Sequence, residues 1–210
     1  MVAPSAFRVA DETAAFDFVA RTGFATLVTI DDGRPLASHL PMLVDRRRRV
    51  LRGHLARANP QAGLIGGRRH LAVFLGANAY VSPDWYGGPN EVPTWNYQAA
   101  HIEGTGRVVG DPQDVDAFLS DLSDHHEARR SDLSEGKFWK MSKLDAARLP
   151  KLRAGIVAFE IAVEQIDFLA KLSQNKSVAD ISAVARKLAA GGDAERAVAA
   201  AMAAANGMRP

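Results

Sequence analysis

Gly53-His54-Leu55-Ala56-Arg57-Ala58-Asn59-Pro60 ends an apolar strand with a cation, an amide and a proline. A strand end of this kind leaves backbone N–H groups unpaired. Arg57 adds a planar fork of donors that suits a phosphate, and Pro60 is placed to open a helix at its first turn. Alone, the octapeptide reads equally well as a strand-to-helix corner with a surface arginine.

The flanking sequence supplies the context. Residues 50–56 form the outgoing strand of a hairpin whose turn is Asp45 followed by Arg46, Arg47, Arg48 and Arg49, with an incoming strand over 35–44. A first hairpin precedes it, with a strand over 24–30 and the turn Asp31-Asp32-Gly33-Arg34. Before that, Ala15, Phe16 and Val19 share one helical face over 12–21, with Asp11 as N-cap and Gly23 as the stop. Downstream, a short helix is expected over 60–65, then strands over 71–77 and 93–109, separated by the aromatic segment 82–90. Val115, Phe118, Leu119 and Leu122 mark an amphipathic helix from Asp111 to about Arg130. A shorter helix over 143–149 is expected to stop at Pro150, and a last strand covers 155–166. Five or six mostly antiparallel strands with short connections fit a small barrel, mainly β with flanking helices (α+β), better than a doubly wound sheet. The expected organisation is a barrel domain over 1–176 and a helical tail over 177–210.

Composition narrows the chemistry. The chain has 210 residues, 47% of them hydrophobic, and no apolar run long enough for a membrane span. With no secretory leader pattern either, a cytoplasmic protein is expected. The absence of cysteine excludes disulfides, thiolate nucleophiles, iron–sulfur clusters and thiolate zinc sites. A formal net charge of +2 does not demand nucleic acid. The four-arginine run reads as a solvated hairpin tip ahead of a surface for acidic partners. His125, His126 and Glu127 are adjacent, whereas a helical metal site wants ligands at i and i+4, so no metal site is expected. DNA is a possible partner without a reader. The helix–turn–helix spacing over 178–205 puts mainly alanines, with Glu195 and Arg196, on its second helix.

Three clusters carry the functional reading. Pairing across the arginine turn is expected to set Ser38 and His39 beside His54, Arg57 and Asn59. Strand alternation sends Trp95, Tyr97 and His101 to one face and Thr94, Asn96 and Gln98 to the other. Lys171, Ser173 and Gln174 form a polar knot after the last strand. Together these offer an anion cradle, aromatic walls and amide donors, which a flavin mononucleotide (FMN) requires for its phosphate, its ring and its pyrimidine edge. The rival reading makes His39, His54 and His101 core histidines and gives Trp95 and Tyr97 to a dimer interface.

The ordered motifs His39-Leu40-Pro41, residues 53–60, Tyr80-Val81-Ser82-Pro83, Trp85-Tyr86, residues 92–97 and residues 171–175 closely resemble the PaiB-like family of FMN-binding negative transcriptional regulators. The resemblance runs from about Pro4 to Leu188. It implies an FMN-binding split β-barrel like that of pyridoxamine phosphate oxidase and the flavin reductases, usually a homodimer with flavin at the subunit interface. It also implies a phosphate held by Arg57 with Asn59 and Ser38 assisting, and a ring oriented by Trp95, Asn96 and Tyr97. Two alternatives stand beside this reading. One is a flavin-dependent oxidoreductase without a regulatory role. The other is a haem protein with His54 or His101 as axial ligand. No nucleophile or acid–base pair stands out, so no catalytic residue is assigned.

Overall fold

Asp11 caps the first helix, its Oδ1 accepting from Thr13 N–H at 2.8 Å. Helix α1 (Glu12–Thr22) buries Ala15, Phe16, Phe18 and Val19, and the chain leaves it through Gly23 at φ +64°. The computed structural model describes residues 1, 4–132, 137–145 and 147–208. Strands β1 (Phe24–Asp31) and β2 (Arg34–Pro41) form the expected first hairpin. Its turn has positive φ at both Asp32 and Gly33, 46° and 80°, the backbone twist that a tight two-residue reversal needs.

The strand expected over 35–44 is interrupted at Met42. Its N–H donates to Gly23 O at 2.8 Å, and its side chain is buried. Beyond Met42 the chain forms only a three-residue strand, β3 (Leu43–Asp45), which pairs across the arginine turn with β4 (Val50–Ala56). The remaining elements are a 3-10 helix (Pro60–Leu64), β5 (Arg69–Val81), β6 (Thr94–Val109), α2 (Pro112–Glu127), α3 (Leu149–Ala154), β7 (Ile156–Lys171), α4 (Val178–Ala189) and α5 (Asp193–Ala205). The sheet has the strand order β2-β1-β5-β6-β7-β4-β3. Among the described residues, no helix is long and apolar enough to cross a membrane.

Two expectations are corrected. The helix expected over 143–149 is instead a 3-10 turn, Met141–Lys143, and then α3, with Ala146 lying outside the described residues. Pro150 starts α3 because its missing N–H falls among the first-turn donors that have no helical partner in any case. The second correction concerns pairing. His39 lies opposite Thr26 and Ser38 opposite Leu27 on β1, whereas His54 lies opposite Ala158 on β7. Hairpin pairing across the arginine turn therefore does not set Ser38 and His39 beside His54. The break at Met42 confines that pairing to Leu43–Asp45.

The chain divides into two compact units. One comprises residues 1–22, 73–101 and 166–210. In it Phe18 stacks on Phe168 with ring centroids 4.7 Å apart, and α4 and α5 are held by Asp180, which accepts from Gly87 N–H, and by Asn206, which donates to Leu172 O. The other comprises residues 23–72 and 102–165. Its core includes Leu27, Leu51, Ile65, Ile102, Phe159 and Ile161, and α2 lays Val115, Phe118 and Leu122 over Ala158. In this unit β2 and β4 approach each other although they are far apart in strand order. A Cβ on Gly53 would stand 3.3 Å from Leu40 Cδ1 and 2.9 Å from Phe159 Cζ. A side chain at position 53 would have to push aside the Phe159 ring and Leu40, so glycine suits this close approach.

Candidate functional site

The opening octapeptide turns from strand to helix through Asn59. Its Oδ1 accepts from Gln61 N–H at 2.9 Å, capping the 3-10 helix that Pro60 begins. With the oxygen so committed, the amide nitrogen faces the other way and donates to Ser38 Oγ at 2.8 Å. Ser38 and Asn59 are thus brought together, by a capping side chain and not by ladder pairing. Ser38, Asn59, Pro60 and Gln61 share the wall of a cavity of about 430 Å³ with Leu36 and Ala56.

Behind that wall runs a buried polar chain. Gln61 Nε2 donates to Leu27 O at 2.9 Å and to Thr29 Oγ1 at 2.7 Å. Thr29 Oγ1 lies 2.8 Å from His70 Nδ1, and His70 Nε2 lies 3.0 Å from Ile65 O. A carbonyl only accepts, so His70 carries its proton on Nε2, and Nδ1 is the acceptor for the Thr29 hydroxyl. Burial lowers the His70 pKa, outweighing the opposing bond to Ile65 O, and the nearby Arg68 charge lowers it further. His70 therefore serves as a neutral anchor. Gln61, Thr29 and His70 escaped the sequence reading. One signal was available: Thr29 is a polar residue at an inward position of the alternating strand Ala25, Leu27, Thr29.

Arg57 takes a different position from Ser38 and Asn59. Nε donates to Ala154 O at 2.7 Å and Nη2 to Ile156 O at 2.6 Å, clamping the start of β7. Two of the five guanidinium N–H groups are used in this way, which leaves three, on an exposed side chain lining a separate cavity of about 390 Å³. His39 bonds through Nδ1 to Thr26 Oγ1 at 2.9 Å. His54 packs edgewise on Phe118 at 5.9 Å, its Nδ1 buried without a hydrogen-bond partner and its pKa lowered by burial.

The other expected residues belong to the first unit. Trp95 is 53% exposed and meets Tyr80 edge to face at 6.5 Å. Asn96 points the opposite way, as the alternation predicts, and is buried with Nδ2 donating to Ser173 Oγ at 2.9 Å while Oδ1 has no partner. Tyr97 is half-buried. Ser173 adopts φ +65°, and Gln174 folds back so that its Oε1 accepts from Leu172 N–H and its Nε2 donates to Ala170 O. The polar knot therefore secures its own turn. Lys171 Nζ donates to Thr94 Oγ1 and lies over the Phe7 ring, and burial lowers its pKa.

The donor set fits a flavin nucleotide. Arg57 retains three charged donors, the Ser38 oxygen already holds one hydrogen bond, and Gln61 Oε1 is a buried acceptor with no partner. Such an orphan acceptor costs about 1–3 kcal/mol until something donates to it.

Comparison with known proteins shows the family and the fold. The family described as "Putative FMN-binding domain" matches residues 1–165. The chain is 34% identical over 191 residues to "Protease synthase and sporulation protein PAI 2" of Bacillus subtilis (strain 168), covering 90% of this chain and 89% of that one. Among solved structures, it resembles the FAD and haem binding protein from Mycobacterium smegmatis, with TM-score 0.59, 17% identity, and 84% and 79% of the two chains covered. The conserved hypothetical protein Rv2991 from Mycobacterium tuberculosis matches with TM-score 0.58 at 13% identity, over 85% and 97% of the two chains. These likenesses bear out the expected fold class, a mainly β split barrel with flanking helices, and the family is the one expected from the motifs. The chain belongs to the PaiB-like family whose shared domain is described as FMN-binding.

Proposed function

We propose that this protein binds FMN where two copies meet and acts as a flavin-dependent regulator. The observation that carries the reading is the polarised lining of the Ser38–Asn59–Gln61 cavity, where both amides have a fixed sense and one buried acceptor is unpaired. Arg57 is the group suited to the phosphate, since a guanidinium edge with free N–H groups matches its oxygens. When bound, FMN would supply hydride or electron transfer, and these side chains bind and orient it.

Two observations support the pairing of copies. Leu75, Tyr80 and Trp95 are exposed on the strands of one unit and, separately, Phe24, Ile30 and Val108 on those of the other, apolar side chains of the kind a partner covers. The regulatory part draws on the Bacillus subtilis relative, which is named a protease synthase and sporulation protein. A direct reading of DNA by α5 is not favoured. Its one arginine, Arg196, bonds to Gly191 O and Asp193 of its own helix start, and the rest of the helix is mainly alanine, which offers a base edge little beyond methyl groups.

The test is reconstitution. Purified protein titrated with FMN is expected to quench flavin fluorescence at one site per chain and to run as a dimer. Protein that leaves FMN fluorescence unchanged would end the flavin reading, and a Soret band would replace it with haem.

A further inference from the structure

One half of the Gln61 amide is committed and the other is empty. Nε2 donates to Leu27 O and Thr29 Oγ1, so the amide cannot turn over without setting its oxygen against a carbonyl. Oε1 is left buried with no hydrogen-bond partner. Ser38, on the same cavity wall, is in the opposite state: its oxygen accepts from Asn59 Nδ2, and its own proton is not committed to any bond among the described residues. Asn59 joins the two, holding the Gln61 N–H with one end of its amide and Ser38 with the other.

Ser38 gives the cavity a free donor, and Gln61, which lines the same cavity, holds a buried acceptor with no partner; together they match a ligand group that sets a carbonyl beside an N–H. A phosphate offers only acceptors at its ionised oxygens. It would satisfy Ser38, but it would bring negative charge towards an unpaired carbonyl oxygen. The pyrimidine ring of a flavin carries the matching edge, a carbonyl next to the N3–H.

We infer that Ser38 and Gln61 read the imide edge of the flavin ring, Ser38 donating to a ring carbonyl and Gln61 Oε1 accepting from N3–H, while the phosphate lies with Arg57. This assignment rests on the proposed binding of FMN and makes Gln61 a specificity-determining residue. It selects flavins and other imides over nucleotides that lack a ring N–H next to a carbonyl.

The test uses unmutated protein first. In fluorescence titrations, N3-methyl-FMN is expected to bind at least about tenfold more weakly than FMN, and N3-methylriboflavin to show the same deficit against riboflavin. A Gln61→Met variant is expected to bind FMN and N3-methyl-FMN alike. Equal affinity of the unmutated protein for FMN and its N3-methyl derivative overturns the assignment and leaves FMN binding intact. Failure of every flavin to bind overturns both.

Discussion

Arg48 donates two parallel hydrogen bonds, of 2.7 and 2.8 Å, to the two carboxylate oxygens of Glu160. Arg107 adds a third at 2.6 Å, so a residue only 7% exposed at mid-strand is held by two arginines from β6 and the β3–β4 turn. At least this member of the arginine run is a brace and not a free cation. Burial raises the Glu160 pKa, but the bonds and charges of Arg48 and Arg107 outweigh it and leave the value lowered. The stabilisation is therefore present above the ordinary carboxylate pKa and is lost as pH falls through the lower folded value. Glu160→Gln should cost about 1–3 kcal/mol at neutral pH, because both arginines are largely exposed and rehydrate. In urea denaturation, the gap between the two proteins should narrow under acid conditions. A gap independent of pH would remove Glu160 from this role.

His54 and His70 are both held neutral by burial, with lowered pKa values. The unfolded chain binds protons near the ordinary histidine value, so stability is fully present above about pH 6.5 and declines as pH falls towards the folded values. Proton NMR should show both rings titrating below the ordinary histidine value. A His70→Gln variant should lose part of the decline in stability below about pH 6.5. Titration of both rings at the ordinary value would contradict the buried assignment.

Some of this architecture is legible in the sequence and some is not, for physical reasons. Asp32-Gly33, the Asp11 and Asp111 caps and the Val115–Leu122 stripe are local devices, and each forms the element it signals. Pro150 is ambiguous by nature, since the same missing N–H ends one helix and starts another. The partner of β4 is not a local matter. Its ladder runs to β7, more than a hundred residues away, and periodicity carries no information about that choice. The Ser38–Asn59 contact was anticipated through the wrong pairing, and its true cause is a cap. The Thr29–His70–Gln61 chain joins three separated residues with no shared motif.

Gly104 has no room for a side chain. A Cβ there would stand 1.7 Å from Ala162 O and 3.0 Å from Ile161 Cγ2, both on β7, so backbone would have to move. Gly104→Ala should destabilise the protein by about 3 kcal/mol or more. Gly110→Ala, with nothing within 4 Å of the added carbon, is the control and should be nearly neutral. Comparison of urea midpoints checks both, and equal midpoints would refute the close approach.

Arg57 has two tasks that one experiment can separate. Its bonds to Ala154 O and Ile156 O are exposed and contribute about 1 kcal/mol to stability, whereas the remaining donors are proposed for the phosphate. Arg57→Ala should therefore lower the melting temperature by a few degrees and weaken FMN binding by about tenfold or more. Riboflavin, which has no phosphate, should lose much less affinity. If FMN and riboflavin weaken equally, Arg57 acts only as a clamp.

Trp95 tests the pairing of copies. The residue is more than half exposed and its ring meets that of Tyr80 edge to face, so it presents rigid apolar surface at small entropic cost. A charge placed there would be buried without a counter-ion if two copies close over it, but would remain hydrated if the face meets only water. Trp95→Asp should therefore convert a dimer into a monomer in light scattering while leaving the circular dichroism of the fold unchanged. Because the flavin is proposed to lie where the copies meet, the monomeric variant should also lose FMN. A dimer that survives the substitution, with FMN still bound, would move the interface away from this face.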